Sequence, residues 1–393
     1  MVNKHSTYDL AQMQSLPLEA KIRMTKQRIK VWYESWVKYT IVNHKTGKTR
    51  FVTWIEEPCE KGCYVKRTKK VNGEKVEVDV LVPGTKLKPN EYIDSAVDGQ
   101  VYVSLSGGKD STVLKHIVDS MYSDVPAVFV NTGLEYPEIQ QFVRSIKQGK
   151  YDCFNPDVEI IRPEMRFDEV IKTYGYPIIS KAISKKIDLA QRHGKNCKAY
   201  EFLKGTAVDK NGNLSLFNCH KWEFLIDAPF NISNKCCDVM KKKPVKQYTK
   251  KTGRNPIIGT LATESMMRKN SWIKSGCNAF DKADPSSQPL SFWTEQDVLQ
   301  YIKEFNVPYC LVYGDIVGDD KLETTGCSRT GCMFCAFGCH LEKEPTRFQR
   351  MKVTHPKQYN FCIGGGETVD GKWEPNKEGL GFGKVLDYIN VKY

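Results

Sequence analysis

Apolar residues recur along this chain with two different periods, and the switch between them divides it into regions. Leu18, Ile22, Ile29, Trp32 and Trp36 fall near helical spacing, which predicts an amphipathic helix over residues 17–36. Residues 38–98 instead alternate apolar with polar positions and are rich in Val and Thr, as in TIVNHKTGKTRFVTWIEE and KRTKKVNGEKVEVDVLV. Asn72-Gly73 suits the left-handed positions of a tight hairpin turn. The stretch reads as a small β-rich insertion. Cys59 and Cys63 lie at its centre, and two cysteines alone more often do not bind metal.

From residue 99 the pattern becomes strand, Gly-rich turn, helix. VYVSLS (101–106), VPAVFVNTG (125–133) and VEIIRP (158–163) are predicted strands, and NPIIGTLATES (255–265) a late one. Helical segments SGGKDSTVLKHIVDSMY, YPEIQQFVRSIKQ and RFDEVIKTYG follow the first three. This alternation places the chain in the α/β class, with a doubly wound, mostly parallel sheet. Thr294 and Asp297 are placed to cap the helix TEQDVLQYIKEFN. The expected organisation is an N-terminal helix (1–37), the β-rich insertion (38–98), a nucleotide-binding α/β domain (99–275) and a helical, Cys-rich region (276–393).

Composition narrows the function classes. The 393 residues suffice for two or three domains, and 59 Lys and Arg against 46 Asp and Glu leave a formal charge of +13. That balance favours a polyanionic partner, a nucleic acid or a phosphorylated small molecule. MVNKHSTYDL has no apolar stretch of a secretory signal, and runs such as Val125 to Val130 are too short to cross a bilayer. The expectation is a cytoplasmic protein with no membrane association. In that compartment its 14 cysteines stay reduced and read as metal ligands or redox groups.

Ser106-Gly107-Gly108-Lys109-Asp110-Ser111 lies between a predicted strand and a predicted helix. Two glycines let the backbone approach a phosphate, and the helix start offers unpaired N–H donors and the positive end of its dipole. Ser106, Lys109 and Ser111 add hydroxyl and ammonium donors, and Asp110 is a candidate to hold Mg²⁺. The spacing is not that of a Walker A loop.

SGGKDS resembles the PP-loop of the N-type ATP pyrophosphatases, which split ATP between its α- and β-phosphates. NTGLEYPE (131–138), GTLATESMMRK (259–269) and PLSFWTEQDVLQYIKEFNVPY (289–309) are similar to segments of the phosphoadenosine phosphosulfate (PAPS) reductase family, in that family's order. The resemblance implies an adenine nucleotide α-hydrolase-like fold and a site for ATP and Mg²⁺. Its catalytic candidates are Lys109, Asp110 and Ser111. Its nucleotide-binding candidates are Ser106, Gly107, Gly108, Asn131, Thr132, Gly133, Glu264 and Arg268 as well. Glu264 and Arg268 have a second reading, an ion pair at helical spacing.

Cys236-Cys237 and Cys332-x-x-Cys335 form the other signal, since four thiolates can enclose a metal or an iron–sulfur cluster. In a PP-loop chain the combination resembles the [4Fe–4S] signature of adenylyl-sulfate reductases and of the iron–sulfur DndC-like enzymes that thiolate DNA. Cys327 and Cys339 flank the second pair, so Cys327 to Cys339 could supply four ligands alone, with Cys339 the first substitute. Zinc, with His340 contributing, is the alternative metal.

Lys241, Lys242, Lys243, Lys246, Lys250, Lys251 and Arg254 follow the cysteine pair, with Tyr248 the lone aromatic among them. The run could track a nucleic-acid backbone or form a solvated face; Lys66, Arg67, Lys69 and Lys70 make a weaker basic patch. Lys181 is a candidate to face the nucleotide. His193, His220 and His355 read as structural or exposed, and Gly364-Gly365-Gly366 as a flexible loop.

The functional expectation is an ATP pyrophosphatase that adenylates an acceptor and supports iron–sulfur-dependent sulfur transfer, with nucleic acid or a sulfur-donor protein as possible partners. The alternatives are a sulfonucleotide reductase forming sulfite and a non-catalytic binding module. The full SGGKDS string and the cysteine-free GLGFGKVLDYINVKY favour ATP activation over reduction.

Overall fold

The structure, a computed structural model, describes residues 5–36, 38–52, 64–71, 74–81, 90–97, 100–280 and 282–393. Two helices begin it, α1 (Thr7–Gln14) and α2 (Leu18–Glu34). α1, which the apolar pattern did not reveal, starts at a capping box between Ser6 and Asp9. α2 buries Ile29 and Trp32 completely.

The β-rich insertion contributes β1 (Lys38–Asn43), β2 (Thr49–Val52), β3 (Tyr64–Val71), β4 (Glu74–Leu81) and β5 (Glu91–Val97). β1 is the centre of an antiparallel sheet ordered β2-β1-β5. β3 and β4 form a separate antiparallel pair whose register brings Val71 opposite Glu74. The expected turn at Asn72-Gly73, and Cys59 and Cys63, lie outside the described residues.

The α/β region runs β6 (Val101–Ser104), α3 (Lys109–Asp119), β7 (Ala127–Val130), α4 (Pro137–Lys147), β8 (Val158–Ile161), α5 (Phe167–Tyr174), β9 (Ile178–Ile179), α6 (Lys181–His193), α7 (Lys198–Lys204), α8 (Lys243–Thr252), β10 (Asn255–Ile258), α9 (Met266–Ser275), β11 (Asn278–Ala279) and β12 (Ser286–Ser287). The main sheet is ordered β11-β12-β10-β6-β7-β8. Its strands are parallel except at the β11 edge. This is the expected mostly parallel α/β fold. The chain winds from β6 outward through β7 to β8 and then returns to lay β10 on the other side of β6. The carboxyl end of β6 is therefore a topological switch point, where open α/β sheets bind ligands.

The late strand stops at Ile258, seven residues short of the segment expected from sequence. A Cβ on Gly259 would stand 2.9 Å from the Asp110 carbonyl oxygen and from Ser111 Cα. The chain needs glycine there to pass the phosphate loop, and Ala262–Glu264 then coil into a 3₁₀ turn.

The remaining chain adds α10 (Glu295–Glu304), β13 (Ile316–Val317), β14 (Glu323–Thr324), β15 (Ala336–Phe337), α11 (Arg347–Thr354), α12 (Pro356–Ile363), β16 (Glu367–Val369), β17 (Lys372–Glu374) and α13 (Phe382–Tyr388). Thr294 and Asp297 form the expected capping box of α10. Gly364–Gly366 is a packed turn, not a flexible loop. Cβ atoms on Gly365 and Gly366 would meet Gly379 N at 2.2 Å and the Trp373 ring at 2.4 Å.

Two apolar cores result. One joins α2, the β6 and β7 strands, α3, α4 and α10. The other joins α5, β9, α6, the cysteine segments and α11 to α13. Among the described residues no helix is long and apolar enough to cross a membrane.

Candidate functional site: a phosphate loop joined to a cysteine cluster

β6 delivers the chain into the loop and Gly108 is the N-cap of α3. Gly107 takes φ +73°, and a Cβ there would stand 2.7 Å from Ile139 Cγ2. Glycine is thus required both by conformation and by the approach of α4. The loop's hydroxyls brace it from inside. Ser111 Oγ donates to the Gly108 carbonyl at 2.9 Å and accepts from Ser106 N–H at 3.1 Å. The Ser106 and Ser111 hydroxyls are 2.9 Å apart, and Gly108 N–H donates to Ser106 Oγ at 3.3 Å.

Lys109 is buried, and its Nζ donates to the Ser328 carbonyl at 3.1 Å and pairs with Glu295 at 2.9 Å. Its backbone N–H donates to Tyr313 Oη at 3.1 Å, and that hydroxyl is bonded to Thr330 Oγ1 at 2.7 Å. Asp110 Oδ1 is buried without a hydrogen-bond partner. Burial pushes its pKa up, against the pull of Lys109, Arg329 and Arg268. That oxygen lies 3.7 Å from Lys109 Nζ, beside the phosphate loop, where its carboxylate could also ligate a divalent cation.

Glu264 and Arg268 form the i,i+4 ion pair that sequence spacing allowed, and they form it beside this loop. Arg329 Nη2 joins the same carboxylate at 2.5 Å. The NTGLEYPE segment closes on itself. Asn131 Oδ1 accepts from Gly133 N–H at 3.1 Å, and Thr132 bonds Glu135 through N–H at 3.0 Å and Oγ1 at 2.7 Å. A cavity of about 150 Å³ lies between Ser106, Ile139, Glu135, Lys241, Thr330 and Gly331. It is smaller than the roughly 300–1,000 Å³ of a pocket that encloses a whole ligand, and residues 330–331 form part of its wall.

Lys241 leads from that cavity to the cysteines. Burial works against its ammonium, but Cys332, Glu135 and Cys237 around it together push its pKa up. Cys236 and Cys237 open a helix that passes through a π turn at Asp238–Lys242 before α8, the kind of irregularity that recurs at functional sites. Cys332 and Cys335 arrive on a segment tied down by Met333 N–H on the Leu134 carbonyl (2.8 Å) and by β15 pairing with β9.

The four cysteines sense one another. The hydrogen bond to Cys237 raises the Cys236 thiol, with burial and then Cys237, Cys332 and Cys335 adding to it. The same bond lowers Cys237 to about 6, and Lys181 and Lys241 add to the effect. Burial lifts Cys332 to about 11. Among the described residues no three His, Cys, Asp or Glu side chains converge as they would on one ion.

Cys327 interacts with Tyr136. Cys339 is buried with its thiol on the Ala336 carbonyl at 3.0 Å. Lys181, expected at the nucleotide, reaches Cys237. It opens α6 behind the Ser180 cap, and β9 aims that cap at the cysteine segment. His355 bonds Glu138 at 3.1 Å, a structural role.

The basic run divides. Lys241 is turned inward. Lys242 pairs with Asp238 at 2.7 Å, Lys243 with Glu164 and Lys246 with Asp284 at 2.7 Å. Arg254 Nη1 donates to the Val101 carbonyl at 3.1 Å, and Tyr248 is buried on Tyr102. Three of the seven basic residues are thus paired with carboxylates nearby. Glu135, Glu295, Tyr313, Ser328, Arg329 and Thr330 were not apparent from sequence. Only the density of Gly and Cys at 326–340 signalled the last three.

The sequence model of the phosphoadenosine phosphosulfate reductase domain matches residues 100–185 and 181–337. The chain belongs to the PAPS reductase family. Two uncharacterized proteins of Methanocaldococcus jannaschii are similar to it. One is 24% identical over 67% of this chain and 46% of its own length, the other 22% over 60% and 36%. The chain thus spans less than half the length of the curated relatives it matches. A phosphoadenylyl-sulfate reductase of Candida auris, solved with phosphate, is similar over 56% of this chain and 81% of its own, at 16% identity and a TM-score of 0.32. Family membership accounts for the order of phosphate loop, NTGLEYPE segment, Glu264–Arg268 turn and α10. The family spans reductases and ATP pyrophosphatases, and this PAPS reductase family chain carries the full SGGKDS loop.

Proposed function

We propose that the chain binds ATP at the phosphate loop, transfers AMP to an acceptor with release of pyrophosphate, and so prepares the acceptor for sulfur. The observation that carries the reading is the intact SGGKDS loop, braced by its own serines at a helix start and set beside Lys109, Arg268 and Arg329. A site for a ligand that arrives already activated has no pyrophosphate to release. This one sets a helix start and the cations Lys109, Arg268 and Arg329 where that leaving group would gather charge.

Asp110 would hold Mg²⁺, which would neutralise phosphate charge when bound. Gly107, Lys109 and Ser111 orient the phosphates while the acceptor's oxygen attacks the α-phosphorus. The bond from that phosphorus to the bridging oxygen breaks, and pyrophosphate leaves. A donor of sulfide-level sulfur then displaces AMP from the acceptor. Cys236, Cys237, Cys332 and Cys335 lie near enough to perturb one another's thiols and would have to draw closer to hold a [4Fe–4S] cluster, which when bound would supply a site for handling sulfur or electrons. The donor set is four thiols with two ammonium groups, Lys181 and Lys241, to balance their charge. A nucleic acid suits the net charge of +13, although the ion pairs of α8 leave that run a weak argument for it.

The test is ATP–pyrophosphate exchange with the purified chain. Exchange in the wild type and a loss of about 10²–10³-fold in Lys109→Ala are expected. Sulfite release from PAPS or adenylyl sulfate without any exchange would establish the reductase instead.

A further inference from the structure

Three consecutive residues of one segment line the phosphate loop and the Glu264 carboxylate beside it, and none of them belongs to a recognised motif. The Ser328 carbonyl accepts from Lys109 Nζ at 3.1 Å. Arg329 Nη2 lies 2.5 Å from Glu264 Oε1. Thr330 Oγ1 is bonded at 2.7 Å to Tyr313 Oη, which itself accepts the Lys109 N–H, and would lie 3.2 Å from a Cβ on Gly108. Cys332 follows two residues later, so this strap runs directly from the loop to the cysteine cluster.

The geometry points to Arg329 as a ligand of the nucleotide's phosphates, acting on the same groups as Lys109. The assignment rests on the reading of the loop as an ATP site. Glu264 carries two guanidinium partners where one would balance its charge. Arg268 sits on it from the next turn of the same chain segment, whereas Arg329 is 58% exposed and comes from the strap. A phosphate group can therefore draw Arg329 away without stranding the carboxylate, because Arg268 remains. The cost of that exchange is small, and the gain is large. A guanidinium meets a phosphate with two parallel hydrogen bonds and twice the strength of a neutral pair. Ser328 fixes the distance. Its carbonyl is on Lys109 Nζ, so the adjacent Arg329 shares the space that ammonium commands.

The test is calorimetric titration of the full chain, with Mg²⁺ present, by ATP and by adenosine. It compares wild type, Arg329→Ala, Arg329→Lys and Lys109→Ala. Arg329→Ala should weaken ATP about ten- to a hundred-fold and leave adenosine unchanged, with Arg329→Lys recovering part of the loss. Equal ATP affinity in Arg329→Ala and wild type, with Lys109→Ala impaired, would overturn the role of Arg329 and leave the ATP site standing. Equal losses for ATP and adenosine would also overturn it, marking Arg329 as a support of the strap. A wild type that binds adenosine but gains nothing from the phosphates of ATP would overturn both readings.

Discussion

The phosphate loop and the cysteine cluster are neighbours built by opposite means. The loop is six consecutive residues whose geometry is set where they stand, by a strand, two glycines and a helix start. The four cysteines are gathered from two segments nearly a hundred residues apart, and the second is seated by a third, through β15 pairing with β9. A contiguous site is a property of local chemistry, and a gathered one is a property of the fold. The two should therefore fail separately.

The largest separation is expected in Cys332→Ala. If the proposed cluster forms, anaerobically purified wild type holds iron that Cys332→Ala loses, while the variant's ATP affinity stays within about two-fold, since nothing in the loop is bonded to Cys332. Zinc in stoichiometric amount and no iron in the wild type would replace the cluster with a different metal.

Gly107→Ala should break the other side. A left-handed residue costs about 1–2 kcal/mol and the crowding against Ile139 about 1–3 more. Urea unfolding should show a loss of roughly 2–5 kcal/mol, with ATP binding abolished and any bound metal retained. Unchanged ATP binding would mean that the backbone at Gly107 does not shape the cradle.

Thr330→Val lies on the strap between the two and should cost about 1 kcal/mol, the worth of one hydroxyl pair. If it reduced iron content as strongly as Cys332→Ala, the two sites would not be separable.

The same contrast explains what the sequence could reveal. The strand–turn–helix order, the cap at Thr294 and the SGGKDS loop were legible because each depends on residues within a few positions of one another. Cys236, Cys237, Cys332 and Cys335 were legible as chemistry, but the choice between them and the Cys327–Cys339 run was not. It turns on tertiary neighbours, Tyr136 beside Cys327 and β9 where the second pair is seated. Lys181 was legible as a candidate but not its place at Cys237, and Arg329 was not legible at all; tertiary docking sets Lys181 at Cys237 and Arg329 at Glu264. α1 was missed because its eight residues bury only Leu10 and show no apolar stripe.

The smallest expected effect tests how tightly the loop's helix is held in its own core. His116, on α3, has Nδ1 at 2.9 Å from Tyr301 Oη on α10. Burial lowers its pKa below the ordinary 6.5, and Lys26 adds to the shift. The unfolded chain therefore takes up a proton near pH 6.5 that the folded chain refuses. Stability from this group is complete above about 6.5 and declines as pH falls through that value toward the folded pKa, by at most about 1.4 kcal/mol per pH unit. Urea unfolding at pH 7.5, 6.5 and 5.5 should show that decline in the wild type, and His116→Gln should flatten it. The Cys332→Ala chain should keep the wild-type slope, because His116 belongs to the core of the phosphate loop and not to that of the cysteines. A slope that changed with Cys332→Ala would join what the comparison separates.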